Sequence, residues 1–192
     1  MMGVPPAPPE AKASGFNSTV RSLRAMLPPS AFERVVRSLP AATTELVQRP
    51  PLPLEWIPVQ RYADLIEAAL REGFGGDEER IVDVGRRMIV GDLKTIYRMF
   101  IKLLSPQYVI QRSARLWLTY NRNNGFVRVK QTGPQSCEVH YESVRGIYAG
   151  HWAYQRGVIL GVIEATGYRH VAVKVLKGGR SEHDMVLHTS WG

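Results

Sequence analysis

Apolar residues along this chain recur first at helical spacing and then in alternation, and the change of period divides it. Phe32, Val35, Val36 and Leu39 form a short amphipathic stripe that Pro40 closes. The segment from Gln48 to Pro58 (QRPPLPLEWIP) holds four prolines, each lacking an amide donor and constraining its predecessor. It reads as an extended connector that Leu52, Leu54, Trp56 and Ile57 can pin to a core. Tyr62, Leu65, Ile66, Ala69 and Leu70 return to helical spacing, ending near Phe74. Gly75 suits a left-handed C-cap and Asp77 the next N-cap, with Glu78 and Glu79 in the positive first turn. The string FGGD lacks both the lysine and the preceding strand of a phosphate loop, so capping explains it.

The next helix turns Ile81, Val82, Val84, Gly85 and Met88 inward. Gly91-Asp92 is expected to break it and start another, with Leu93, Ile96, Tyr97, Phe100 and Leu104 inward. Ser105-Pro106 supplies a cap and a first-turn proline for a helix through Val109, Ile110, Leu116, Trp117 and Tyr120. Asn123-Asn124-Gly125 ends it. Residues 126–132 and 137–143 then read as strands joined by Gly133-Pro134-Gln135. A long helix covers Tyr148 to Thr166, and strands follow near 170–177 and 184–190. Helices followed by ββ-α-ββ predict an α+β domain, with helices packed on a four-stranded, mainly antiparallel sheet. Residues 1–15 are rich in Pro and Ala and predict a disordered tail, leaving 16–192 as one domain.

Length and composition fit that plan: 192 residues, 44% hydrophobic and 22% charged, enough to pack one core. Cys137 is the only cysteine, which excludes an internal disulfide and any site built of several thiolates. No apolar run approaches the roughly 20 residues that span a bilayer. The N-terminus has neither a basic n-region nor an apolar h-region, so a cytoplasmic location is expected, without a membrane span. The formal charge of +8 is uneven. Between residues 84 and 130, ten basic residues face the single acid Asp92, and the rest of the chain is near neutral. Such a field attracts an acidic protein surface, a polyanion or headgroups.

The strings PLEWIP, YADLIEAAL, FGGD, VGRRM, GDLKTIYRMFIKLLSP and RLWLTYNRNNG resemble a family of uncharacterised domains abundant in myxobacteria. Those domains look related to the four-vinyl-reductase-like, haem-nitric-oxide-associated and TRAPP small-subunit domains, together the nitric-oxide signalling and Golgi transport fold. The resemblance runs from the Trp56 region to Trp191 and is densest between Trp56 and Gly125. It implies helices on a twisted antiparallel sheet, often as a homodimer, in domains that act as small-molecule sensors, haem sensors or assembly subunits. Many relatives look as if they carry a cysteine before the last strand. Here that region reads Glu182-His183-Asp184-Met185, without the thiol such a metal or haem arrangement would use.

Catalytic groups do not converge in the pattern. Cys137 and His140 lie three apart on a predicted strand and so point to opposite faces. Glu138 and Glu142 share a face with His140 between them, as on a polar solvent face. The five histidines form no ligand pair at helical spacing, and His151, beside Trp152, is the best candidate haem ligand among them. No metal site or cofactor is expected. Gly146, Gly150, Ala153, Gly157 and Gly161 form a small-residue stripe on the long helix. Glycine costs up to about 1 kcal/mol per helical position relative to alanine, so the stripe asks for a close neighbour: the sheet, a second copy in a homodimer, or a ligand. Lys94, Arg98 and Lys102, without interleaved acids, form a basic face that Arg87 extends and that Arg112 and Arg115 join. Tyr97, Trp117, Tyr120, Trp152 and Ile159 outline a candidate ligand pocket. The leading expectation is a non-enzymatic regulatory adaptor that dimerises and docks an acidic protein partner through the basic face. The alternative is a small-molecule or haem sensor. Nucleic-acid binding is a third reading, without a helix-turn-helix, zinc-finger or RNP string to accompany the charge.

Overall fold

The computed structural model describes residues 7–96, 105–180 and 183–192. In chain order these form β1 (Glu10–Lys12), α1 (Ala13–Met26), α2 (Pro29–Ser38), α3 (Ala41–Gln48), β2 (Trp56–Pro58) and α4 (Val59–Ala68). A π-helical turn (Ala69–Gly73) prolongs α4 and leads to α5 (Glu78–Ile96). Then come α6 (Pro106–Tyr120), β3 (Asn121–Arg122), β4 (Phe126–Gly133), β5 (Ser136–Glu142), α7 (Ala149–Ala165), β6 (Ala172–Gly178) and β7 (Met185–Ser190). The fold is α+β: helices packed on a four-stranded sheet of order β4-β5-β7-β6, antiparallel throughout. A small sheet, β2-β1-β3, ties the N-terminal segment to the connector before α4.

Two hydrophobic clusters meet at α7. The helical one gathers Phe16, Leu23, Val35, Leu65, Ile66, Ile81 and Tyr154. The one on the sheet gathers Ile110, Val139, Trp152, Ile163, Met185 and Leu187. Strand alternation sets the inner face: Cys137, Val139 and Tyr141 of β5, with Met185, Leu187 and Thr189 of β7, are buried. Ser105 caps α6 through Tyr108 N–H at 3.2 Å, with Pro106 in the first turn, as the sequence predicts.

Three expectations give way. Residues 10–15 are not a tail: β1 pairs with both β2 and β3, and α1 starts at Ala13. The proline-rich segment offers carbonyls that distant residues find. Arg145 donates to Ala7 O, Asn123 to Pro8 O, and Arg122 pairs with Glu10 while stacking on Trp56. Gly91-Asp92 does not break α5, which runs unbroken from Glu78 to Ile96. Asp92 accepts a hydrogen bond from Ser18 Oγ of α1 at 2.8 Å instead of capping a new helix. Between Pro40 and the connector, α3 forms where no element was expected, burying Thr43 and Val47.

Candidate functional site

Trp117, Trp152 and Ile159 share the sheet-side cluster, but as packed core. Tyr141, which the expected pocket omitted, stands between the two tryptophans. Its ring meets Trp117 edge-on at 5.5 Å and Trp152 at 5.7 Å. The inward alternation of β5 with Cys137 was the available signal. Trp117 Nε1 donates to Asn124 O at 3.0 Å, and burial pushes the Tyr141 phenol well up. Tyr120 departs from expectation. It ends α6 on the exposed side, 42% accessible, because the helix turns Ile110 and Trp117 inward. Tyr97 lies outside the described residues.

His151 faces the helices, not the sheet. Its ring lies against Tyr62 at 5.7 Å and Tyr154 at 6.0 Å, and its Nε2 is 3.1 Å from Gln155 Nε2. Among the described residues its Nδ1 has no hydrogen-bond partner, and burial pushes its pKa down to about 4. Next to it the hydroxyls of Thr19, Tyr62 and Tyr154 form a triangle with sides of 2.7–2.8 Å, closed off by Thr19 donating to Gly15 O at 2.9 Å. Burial raises the Tyr62 phenol to about 12 and pushes the Tyr154 phenol well above its ordinary value. No local pattern could announce this triangle, since Thr19 and Tyr154 are 135 positions apart. Glu67 of α4 reaches the start of α7 and accepts from Gly150 N–H at 2.8 Å, a cap supplied by another helix.

The glycine stripe is spent within the chain. A Cβ on Gly157 would fall on the carbonyl oxygen of Val82, and one on Gly85 of α5 on that of Tyr154, far inside real contact distance. A Cβ on Gly161 would stand 2.6 Å from Ile89 Cγ2 and 2.8 Å from Arg86 O, and one on Gly150 2.8 Å from Glu67 Oε1. Ala153 is buried in the helical cluster, and Gly146 takes a left-handed turn against Pro9. The close neighbours are α5 and α4, so these glycines are covered and offer no helix face to a second copy.

The basic candidates are dispersed. Lys94 is in α5, whereas Arg98 and Lys102 lie outside the described residues. Arg87 lines a cavity of about 390 Å³ with Ser18, Arg21 and Asp92 between α1 and α5. Arg112 and Arg115 are exposed on α6. Catalytic groups stay apart: Cys137 is buried, its Sγ 3.0 Å from Thr189 Oγ1, and burial pushes the thiol up. His140 and the two glutamates occupy the opposite face of the sheet. There Glu138 pairs with His140 and Lys130, and Glu142 with Arg128.

A larger cavity, about 630 Å³, opens on the helical side between α2 and α3. Phe32, Val36 and Val47 line it with Pro29, and Arg24, Arg37, Glu33 and Gln48 stand around them. Arg24 stacks on Phe32 at 4.8 Å. The short amphipathic stripe of α2 signalled Phe32 and Val36, but α3, which supplies Val47, was not foreseen.

Residues 15–192 match the model of a family described as "Protein of unknown function (DUF2378)". No curated protein matches the sequence. Solved structures of H-NOX domains share the fold. An H-NOX domain of T. tengcongensis is 14% identical, with a TM-score of 0.67 over 94% of this chain and 97% of that one. An oxygen-binding H-NOX domain related to soluble guanylate cyclases is 15% identical, with 0.66 over 94% of both. A Cs H-NOX reaches 0.69 at 13% identity, covering 94% of this chain and 96% of the other. The H-NOX part of the expected kinship is thereby supported, as fold.

The described residues do not fit haem. His151 is buried in the helical core, its ring packed against Tyr62 and Tyr154 and its Nε2 beside Gln155. His140 and His188 point from the outer sheet face, while His170 and His183 are exposed. The α2–α3 cavity is lined by no histidine, cysteine, tyrosine or methionine that could ligate iron. Among the described residues, no group of three His, Cys, Asp or Glu could hold a metal ion, and no helix is long and apolar enough to cross a membrane.

Proposed function

This chain belongs to the DUF2378 family, and on that footing we propose that it is a non-enzymatic cytoplasmic sensor module in signalling. It binds a small apolar molecule with an anionic end and passes its state to an acidic protein partner. The α2–α3 cavity carries the reading. Its volume suits a small ligand, Phe32, Val36 and Val47 would bury an apolar body, and Arg24 and Arg37 would meet a negative end. The H-NOX likeness supports a sensor over a plain adaptor, and the poor fit for haem favours another ligand. The glycine stripe lends no support to dimerisation, since it is buried against α5 and α4.

The cavity lies near a packed route to the centre of the molecule. Val35 of α2 and Leu27 press on Gly73 of the π-helical turn at 3.2 and 2.9 Å from where its Cβ would stand. Leu70 of that turn and Ile66 of α4 press in the same way on Gly150 of α7. A ligand that tightens α2 against α3 would thus bear on α4 and its π-helical turn, the elements packed against α7.

Decanoate is a suitable probe. It should stabilise the protein against heat, by about 2.7 kcal/mol when present at a hundred times its dissociation constant. Decanol should bind more weakly, and Val36→Glu should abolish both. The freshly purified protein should show no Soret band. Equal stabilisation of wild type and V36E, or none at all, would defeat the reading, and a Soret band would defeat its haem-free part.

A further inference from the structure

We propose that the outward face of α6 is the docking surface for an acidic segment of a partner protein. This deepens the sensor reading by naming where its state is read out, and it rests on that reading for its role. From Leu93 to Cys137 the sequence contains no aspartate or glutamate. The cations of that stretch that flank α6 on its C-terminal side find acids elsewhere: Arg122 pairs with Glu10, Arg128 with Glu142, and Lys130 with Glu138. Arg112 and Arg115 differ. Among the described residues neither has a carboxylate within ion-pair distance, and both are exposed. Arg112 stands over the Tyr108 ring, its Cζ 5.0 Å from the centroid, a cation–π contact that favours an ordered guanidinium able to offer paired N–H groups to a carboxylate.

The surroundings of these arginines decide the class of partner. At 3.6 residues per turn, Arg115, Tyr108 and Arg112 run down the middle of the outward face. Leu118, 62% exposed, flanks them on one side, and Leu116, 42% exposed, on the other. A helix that lies in a bilayer interface has the reverse order, apolar residues at the centre and cations at the margins. Seating α6 on lipid would drive two guanidinium groups into the acyl region first. Phosphates of a nucleic acid would meet the arginines but leave the leucines on both margins without a counterpart. A protein segment with carboxylates between aliphatic side chains satisfies all of these groups at once, and loses less water than two free cations would suggest because Arg112 is already stacked.

The test uses the full chain and a fluorescein-labelled designed helix carrying paired glutamates flanked by leucines, read by anisotropy. The comparison probes are the same peptide with glutamine for every glutamate, phosphatidylserine vesicles and a single-stranded oligonucleotide. Wild type should bind the acidic peptide in a salt-sensitive manner and ignore the glutamine version. The double variant R112Q/R115Q should bind about tenfold or more weakly. Leu118→Asn, which keeps both charges, should weaken binding by a smaller factor, and all variants should melt as wild type does. Failure of the wild type to bind the acidic peptide, equal binding by R112Q/R115Q, or preference for vesicles or oligonucleotide overturns the proposal. Because this assay contains no decanoate, its failure leaves the cavity reading intact, and an empty cavity leaves this surface intact.

Discussion

The two sides of α7 are held by different means. Toward α5 the closest contacts are backbone on backbone, with the ion pairs Arg86–Glu164 and Arg156–Glu79 at the exposed margins. Gly85 and Gly157 sit reciprocally under the carbonyls of Tyr154 and Val82, with a closed triangle of hydroxyls beside them. Toward the sheet, side chains do the packing: Trp152 meets Tyr141 edge-on, and Tyr141 meets Trp117. A backbone contact has no rotamers with which to accommodate change, whereas ring edges can slide. The α5–α7 pair is therefore the rigid unit of the molecule, and movement is to be sought in what packs around it. Gly157→Ala tests this most severely. Its methyl group would have to displace the Val82 carbonyl, a piece of helix and not a flexible side-chain end. We expect a loss of about 3 kcal/mol or more in urea unfolding. Trp152→Phe, on the other side, should be tolerated better. A G157A protein as stable as wild type would mean that the two sides are not different in kind.

His151 sharpens the comparison from the helical side, because it is titratable and the rigid unit gives it nowhere to go. Its pKa is about 4 in the fold against an ordinary value of 6.5. The unfolded chain therefore takes up the proton first as pH falls. The stability that the neutral ring contributes is complete above about pH 6.5 and is lost toward pH 4, on the order of 3 kcal/mol in all. Carboxylates also titrate in that range, so the measurement is the difference between wild type and His151→Gln. Its loss of stability between pH 7.5 and 4.5 should be smaller than that of the wild type by about that amount. Parallel curves for the two proteins would show that the ring hydrates and gains its proton without unfolding.

Much of the frame was legible in the sequence. The switch from helical to alternating period near Phe126, the four sheet strands, the long helix and the Ser105-Pro106 cap all follow from local rules, and the structure has them. What escaped depends on distant partners. The strand Glu10–Lys12 exists because Trp56–Pro58 and Asn121–Arg122 accept it, and no window of sequence around Pro8 contains those residues. The aromatic residues of the expected pocket were correctly read as mostly inward, but inwardness does not distinguish a lined cavity from a filled core. Trp117, Trp152 and Ile159 turned out to fill. The space lies instead where α3, an eight-residue helix with a weak stripe, leaves a gap against α2.

Gly91 separates two meanings of a helical glycine and gives the smallest effect. It shares α5 with Gly85, and from sequence the pair Gly91-Asp92 looked like the break while Gly85 looked ordinary. The structure reverses them. A Cβ on Gly85 would collide with the Tyr154 carbonyl, whereas one on Gly91 would meet no atom of the described residues within 4 Å, in a helix that continues to Ile96. Glycine there costs helix propensity and leaves the unfolded chain extra freedom. Gly91→Ala should accordingly stabilise the protein by about 0.5–1 kcal/mol, a small rise in melting temperature. Gly85→Ala should destabilise it by several times that amount. If G91A were also destabilising, the helix would need a flexible point six residues past its tightest contact, and the rigid unit would end at Gly85 and not include the rest of α5.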